Sequence, residues 1–156
     1  MAATIDVRAV SAVLYGVYKA LYDVAGSSAG AIMRKASGDI LLELEKLGVD
    51  FSSVNSIERL GMMIRETAVL SGMCEDISFT LEGERLRANI SNCAFFPLTS
   101  HLREQGIPPF GCPFAALTVA LAERNLGKRG RVVELQPTPG GNPGDTQLVV
   151  ELHDRA

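Results

Sequence analysis

The sequence predicts an α+β fold in which N-terminal helices pack on a roughly four-stranded antiparallel sheet made of two hairpins. Apolar residues recur every three or four positions through roughly the first 70 residues, as on the buried stripe of an amphipathic helix. Further along, apolar and polar residues alternate in two separate stretches, as in strands with one buried face. Because no linker or internal repeat divides the chain, residues 1–156 are expected to form a single domain.

Three helices are expected to open the chain. The first covers residues 7–26. The second follows Ser27–Ser28, a pair that is typical of a helix N-cap, and ends at the C-cap signal Leu47–Gly48. The third begins at the capping residue Ser56 and stops near Ser71–Gly72.

The first predicted hairpin follows the third helix. Its strands are Ile77–Leu81 and Leu86–Ile90, in which apolar and polar residues alternate strictly. The segment Glu82–Glu84 between them has the glycine that a tight turn requires.

A short helix, a stiff loop and a longer helix are predicted before the last hairpin. The short helix reaches Gln105, the loop contains two consecutive prolines, and the longer helix starts at Cys112–Pro113. The closing strands are Arg131–Gln136 and Thr146–Leu152. Their connection is rich in glycine and proline, which predicts a mobile loop, one that could lie over a pocket.

Charge and hydropathy exclude two classes of partner. The chain has 15 Lys and Arg against 18 Asp and Glu, a formal net charge of −3, so it lacks the basic field that binding to nucleic acid requires. No apolar run approaches the roughly 20 residues of a membrane span. Residues 1–6 lack the pattern of a signal peptide. A cytoplasmic protein that binds neither nucleic acid nor membrane is therefore expected.

The three cysteines are the first candidates for chemistry. Cys74, Cys93 and Cys112 lack the CxxC spacing of zinc sites, but the predicted fold brings them towards one end of the sheet. The N-terminus of a helix would favour the thiolate of Cys112. His101 could act as a ligand or as a general base beside Cys93 or Cys112. The alternative is that all three are small buried hydrophobes.

Methionine and phenylalanine side chains are the candidates for a ligand site. Such side chains could enclose an apolar small molecule between the helices and the sheet, although they would equally well form an ordinary core. Gly26, Gly30 and Gly38 add a surface that a helix or a ligand could approach closely. The predicted lining residues are Met33, Met63, Phe79, Phe95, Phe96, Phe110 and Phe114.

Four segments together carry a family resemblance. They are the helix pair around Ala25–Gly30, the hairpin that leads into Cys93, the helix start Gly111–Pro113, and the closing hairpin with Gly144–Asp145. In these segments the chain resembles the 4-vinyl reductase-type domain, also called the hydrocarbon-binding domain. The fold of that family is shared with haem-based nitric-oxide sensors and Golgi trafficking-complex subunits.

The resemblance implies a homodimeric module that holds an apolar ligand between its helices and its sheet. It also implies a zinc site, because Cys93 and Cys112 match cysteine positions of the family, although Gln147 or Leu148 stands where the family often has another cysteine. A haem site of the sensor type is not expected, because the N-terminal helices contain no histidine and His101 follows them.

The predicted function is a small-molecule binding domain for an apolar or tetrapyrrole-like ligand, which acts as a sensor or an accessory protein. The first helix is expected to supply the dimer contact, with Tyr15, Tyr18 and Tyr22 as interface aromatics. Two apolar faces on this helix would support that prediction. The alternatives are a cysteine-dependent enzyme that acts on a small substrate and an assembly subunit that binds no ligand.

Overall fold

The computed structural model describes residues 6–156, which form five α-helices and four strands. The helices are α1 (Val7–Ala25), α2 (Ala29–Lys46), α3 (Ile57–Leu70), α4 (Phe96–Glu104) and α5 (Pro113–Asn125). The strands are β1 (Asp76–Glu82), β2 (Arg85–Ser91), β3 (Lys128–Pro137) and β4 (Thr146–Asp154). The predicted α+β class is confirmed.

Two predictions from the sequence concern a signal peptide and membrane spans. Residues 1–5, on which the signal-peptide argument depends, lie outside the described part of the chain. Within residues 6–156, every helix is too short or too polar to cross a bilayer.

The four strands form one antiparallel sheet in the order β1-β2-β4-β3. In the first hairpin Glu82 pairs with Arg85, so the turn has two residues, and Gly83 adopts a φ of 63° that favours glycine. The second hairpin has a register shift between Val132 and Glu134, which is a β-bulge. Both predicted hairpins are confirmed, and β2 and β4 join them in the centre.

One face of the sheet carries the main core. Alternate residues of the two central strands are buried, among them Ile90 on β2 and Val150 on β4. Helices α3 and α5 cover this face, and α2 packs on α5. At Gly130 a Cβ atom would come within 2.9 Å of the side chain of Val119, so this glycine lets β3 approach α5 closely.

A second, smaller core joins α1 to α4 and determines which face of α1 is buried. Tyr18 is only 8% exposed and packs edge-on against Phe110, with ring centroids 6.2 Å apart. Tyr22 stacks on the same ring, and Tyr15 lies against His101. The prediction of an intermolecular interface is therefore wrong for Tyr18, whose ring is buried within the chain, and it stays a prediction for the half-buried Tyr15 and Tyr22.

The outer face of α1 is apolar as well. Val13, Val17 and Val24 are 66%, 56% and 90% exposed. The sequence stripe of α1 therefore combined two faces, one packed on α4 and one open to solvent. A period of three to four residues does not separate two adjacent stripes on the same helix.

The predicted helix caps have mixed outcomes. At α3 the hydroxyl of Ser56 accepts a hydrogen bond from the backbone amide of Arg59 at 3.2 Å, which confirms that cap. Ser27 and Ser28 instead belong to a 3₁₀ turn, Gly26–Ser28, and Ser28 makes no capping bond with its side chain. The capping prediction for α2 is therefore wrong, because the chain is already helical at that point.

The loop between β3 and β4 is held by hydrogen bonds. The carboxylate of Asp145 accepts from the backbone amides of Asn92 and Asn142, each at 2.9 Å. The carbonyl of Gly144 accepts from the amide of Cys93, also at 2.9 Å. The loop thus lies against the end of β2, whereas the sequence had predicted a mobile loop.

Candidate functional site

An apolar cavity of about 180 Å³ lies between α2, the Pro108–Phe110 loop, α5 and β3. Its apolar walls include Met33 from α2, Phe110 from the loop, and Ala115 and Val119 from α5. We call it the α2–α5 cavity. It lies between the N-terminal helices and the sheet, where the sequence predicted a ligand.

Small residues explain why the α2–α5 cavity exists. Gly30 on α2 lines it, and a Cβ atom there would meet nothing within 4 Å. Ala115 and Ala116 leave room on α5, and Gly130 lines the cavity from β3. The hydroxyl of Ser37 donates to the carbonyl of Met33 at 2.7 Å, so this polar group in the wall is already satisfied.

A second cavity of about 210 Å³ lies on the other side of the same loop, between α4 and β3. Leu102, Cys112 and Leu135 line it, and we call it the α4–β3 cavity. Pro108–Pro109 lines both cavities and separates them. Because each proline fixes its own φ, this partition is stiff.

Two of the predicted lining residues, Met33 and Phe110, lie at the α2–α5 cavity. Phe114 is buried in the main core, where its ring packs edge-on with that of Phe95 at 5.9 Å. The residues that pack against this core from its periphery are Met63, Phe79, Phe95 and Phe96. Phe79 also lines a separate open pocket of about 480 Å³ between α3 and the first hairpin. For most of the set, the structure thus corresponds to the alternative of an ordinary core.

The sequence argument missed most of the lining of the α2–α5 cavity, including Arg34, Ala115, Val119 and Arg131. The available signal was the small residues, since Gly30 had been identified as a point of close approach. The prediction selected large and aromatic side chains, which fill space in the core. A cavity is left instead where the side chains are small.

The three cysteines are free and buried, and their thiols are hard to ionise. The pKa of Cys93 is raised to about 12, mainly by burial and to a smaller extent by the neighbouring Cys112. Burial, followed by the proximity of Cys93, raises the pKa of Cys74 to about 11. All three are therefore protonated near neutral pH.

Cys112 tests the idea that a helix N-terminus generates a thiolate. It is the N-cap residue of α5, and the backbone amides of Ala115 and Phe114 lower its pKa. Burial has the larger effect, because the side chain is only 1% exposed, and the pKa rises to about 11. The expected activation of Cys112 is therefore wrong.

Both histidines are exposed, whereas the three cysteines are buried. His101 is exposed on α4, and its ring centroid is 5.0 Å from that of Tyr15. His153 lies on β4, with Nδ1 at 2.8 Å from a carboxylate oxygen of Glu84. In residues 6–156, no three His, Cys, Asp or Glu side chains are grouped so as to hold a metal ion.

A zinc site at Cys93 and Cys112 therefore stays a prediction. Cys112 is close enough to raise the pKa of Cys93. A structural zinc site uses four ligands, and two thiols supply half of that set.

Two curated proteins are similar to the chain in sequence. An uncharacterized protein of Methanocaldococcus jannaschii is 27% identical over 113 residues, which cover 72% of this chain and 69% of the relative. A protein of Methanothermobacter thermautotrophicus that is described as a putative rubredoxin is 29% identical over 75 residues. That second match covers 48% of this chain and only 38% of the relative.

Two solved structures share the fold. One, from work on heme distortion in the H-NOX family, has a TM-score of 0.55 at 13% identity and covers 99% of this chain and 74% of its own. The other is a Cs H-NOX mutant that carries 4-cyano-L-phenylalanine at site 5. It has a TM-score of 0.56 at 12% identity and covers 99% of this chain and 76% of its own. The likeness confirms the predicted relation to the fold of haem-based sensors.

A family model assigns most of the chain. The model of the putative rubredoxin C-terminal domain matches residues 10–143, a range that extends from α1 through β3 and includes the residues of both cavities. It differs from the 4-vinyl reductase-type family that the sequence resembles. The chain belongs to the putative rubredoxin C-terminal domain family.

Proposed function

We propose that the protein is a small-molecule binding domain that encloses an apolar ligand in the α2–α5 cavity and acts as a sensor or an accessory protein. The observation that carries this proposal is the cavity itself, an apolar space between the N-terminal helices and the sheet. The H-NOX-like fold supports it, because that fold also serves in proteins that are studied for a bound heme. A cytoplasmic location, favoured by three free thiols, belongs to the same proposal.

The size of the cavity limits the ligand. Pockets for drug-sized molecules measure roughly 300–1,000 Å³, whereas the α2–α5 cavity has about 180 Å³. A short aliphatic chain or a single ring suits this volume. A tetrapyrrole-like ligand would need the α4–β3 cavity as well, with Pro108–Pro109 displaced from between them.

A haem held by histidine does not fit the residues that are present. The chain contains two histidines, His101 and His153. Neither lines either of the two cavities, so neither is placed to be an axial ligand there. We therefore derive no haem chemistry from the H-NOX-like fold.

Native mass spectrometry of the purified protein, followed by the same sample denatured and by metal analysis, is the direct test. A non-covalent extra mass is expected. Methyl NMR adds a defined probe: 1-octanol should shift the methyl signal of Met33, which lines the cavity.

Two matched variants locate the binding. Gly30→Leu should fill the cavity and abolish the shift of Met33. Gly38→Leu lies on the same helix, also has open space around its Cβ position, and is not at the cavity, so it should bind normally. A protein that is bare as purified and shows no shift with alcohols from butanol to decanol would overturn the proposal. That outcome would favour the assembly-subunit alternative.

We further propose that the homodimer forms through the outer face of α1. Five small apolar residues follow one another at alternating spacings of three and four: Val10, Val13, Val17, Ala20 and Val24. We call this set the valine seam. Such spacing is typical of helices that pair along a narrow stripe, and a second copy supplies the same seam by two-fold symmetry.

Sedimentation velocity tests the dimer. Val17→Glu should give monomers that remain folded, because residue 17 is exposed in the single chain. Ala12→Glu, exposed on the same helix but outside the valine seam, should leave the dimer intact. A wild-type monomer, or an unchanged Val17→Glu dimer, would contradict the assignment.

A further inference from the structure

We propose that the α2–α5 cavity selects molecules that combine an apolar body with an anionic head group, and that Arg34 binds this head as a carboxylate. The inference rests on the proposed function and specifies its ligand class. It depends on the charges at the cavity, on the donors that Arg34 has available, and on the depth at which polar groups lie.

All the charged side chains that line the α2–α5 cavity in residues 6–156 are positive. They are Arg34 from α2 and Arg131 from β3, and the lining contains no aspartate or glutamate. A cleft whose charges have one sign and whose walls are apolar concentrates the field inside it. The lining therefore favours an anion over a cation of the same shape, although Glu123 and Glu151 lie behind the two arginines as counter-charges.

Arg34 has hydrogen-bond donors to offer. Its Nε atom is 3.5 Å from Oε1 of Glu123, a long contact, and its side chain is 50% exposed. A guanidinium has five N–H donors in a planar fork that matches a carboxylate bidentately. The terminal nitrogens of Arg34 can thus bind a ligand while the contact with Glu123 is kept.

Arg131 adds positive charge, but it is already paired with Glu151. Its Nη2 atom donates to Oε2 of Glu151 at 2.8 Å, and Nη2 of Arg85 donates to the other oxygen of the same carboxylate at 3.0 Å. One carboxylate is thus shared by two guanidinium groups, so a net positive charge remains beside the cavity. We therefore expect Arg131 to contribute less than Arg34 and to act at longer range.

The inner walls are unsuited to a polar group. Met33, Ala115 and Val119 are buried, and the hydroxyl of Ser37, the only one in the lining that residues 6–156 supply, already donates to a backbone carbonyl. A polar atom placed at that depth would lose its water and gain no partner. The apolar body must therefore lie inside, with the head at the half-exposed Arg34.

Three probes of equal chain length test the inference: octanoate, 1-octanol and octylammonium, each titrated against the methyl signal of Met33 at pH 7. Octanoate should bind about tenfold more tightly than octanol, as charge-assisted hydrogen bonds allow. Octylammonium should bind more weakly than octanol.

Variants assign the preference to one side chain. Arg34→Gln should remove the tighter binding of octanoate and leave the binding of octanol unchanged. Arg34→Lys should keep part of the octanoate preference. Arg131→Gln should reduce that preference less than Arg34→Gln does. Arg65→Gln is the control, because Arg65 also pairs with a carboxylate, that of Asp76, but is not at this cavity.

The outcomes separate the two proposals. Equal binding of octanoate and octanol, or an octanoate preference that survives in Arg34→Gln, would overturn the inference and leave the ligand-binding function standing. No binding of any of the three probes would overturn the proposed function itself.

Discussion

The carboxylate of Asp145 accepts a hydrogen bond from the backbone amide of Asn92 across 2.9 Å, although the two residues lie in different hairpins. Its second oxygen accepts from the amide of Asn142, and its carbonyl accepts from the amide of Thr138, also at 2.9 Å. Asn92 itself has a φ of 48°, in the region that asparagine tolerates better than most residues. One side chain thus fixes the closing loop on the end of β2.

Asp145→Ala is expected to lower the free energy of unfolding by about 0.5–1.5 kcal/mol, because two exposed backbone amides exchange the carboxylate for water. Urea denaturation at pH 7 measures this. The control is Asp154→Ala, which removes an exposed ion pair with Lys128, a type of contact that contributes little. Equal losses in the two variants would contradict a specific role for Asp145.

Gly111→Ala is expected to destabilise the small core by about 1–3 kcal/mol. A Cβ atom at residue 111 would lie 2.7 Å from the side chain of Leu102 and 2.9 Å from that of Tyr18, and both side chains are buried. Gly30→Ala has open space around it and sits within α2, so it should stabilise the protein by about 0.5–1 kcal/mol. Thermal unfolding of both variants would reveal the opposite signs, and a neutral Gly111→Ala would show that the loop can move aside.

Alkaline pH should destabilise the protein through its thiols. The pKa of a cysteine in the unfolded chain is about 8.5. In the folded protein, burial raises the pKa of Cys93 to about 12 and that of Cys112 to about 11. The folded state keeps protons that the unfolded state releases, so the stabilisation is complete below the unfolded pKa and is lost as the pH rises towards the folded values. Urea denaturation from pH 7 to 10 should show this fall, and Cys93→Ala should make it shallower.

Native thiol alkylation provides an independent measurement. Iodoacetamide should react slowly with all three cysteines at pH 7.5, at rates that rise with denaturant as the protein opens. A single cysteine that reacts rapidly in the native protein would contradict this expectation and restore the cysteine-dependent enzyme as the leading alternative.

Acid pH should act through Glu151. The hydrogen bond from Arg131, and then that from Arg85, hold the pKa of this carboxyl below its usual value. The stabilisation is present above the unfolded pKa, about 4.3, and is lost as the pH falls through the lower folded value. Glu151→Gln should therefore be less stable than the wild type at pH 7, by a difference that shrinks in acid. A difference that is constant from pH 7 to pH 3 would exclude the linkage.

Much of the fold could be predicted because its signals are local. The hairpin β1–β2 has strict alternation and a glycine turn, and its strands lie within one residue of the predicted bounds. The Ser56 cap depends only on residues of the same turn. Such signals need no knowledge of the rest of the chain.

The site could be predicted only in part, because it depends on contacts between distant segments. Tyr18 and Val17 are neighbours in the same apolar stripe of the sequence, yet Tyr18 packs on Phe110 and Val17 faces solvent. The position of α4 determines which of the two side chains is buried. The local spacing of apolar residues gives no information about that position. Cys112 shows the same limit, since the helix start is visible in the sequence whereas the burial that outweighs it is not.

The strand order has a consequence for synthesis on the ribosome. Residue 85 on β2 pairs with residue 151 on β4, and β3 has β4 as its sheet neighbour as well. Until residues 146–154 leave the exit tunnel, the nascent chain can complete the first hairpin but cannot join it to β3. The inner edge of β2 stays open during that interval, and an open edge is where nascent chains pair wrongly. The complete sheet thus forms only after β4 has been synthesised, and chaperones that bind unpaired strands can act on β2 before then.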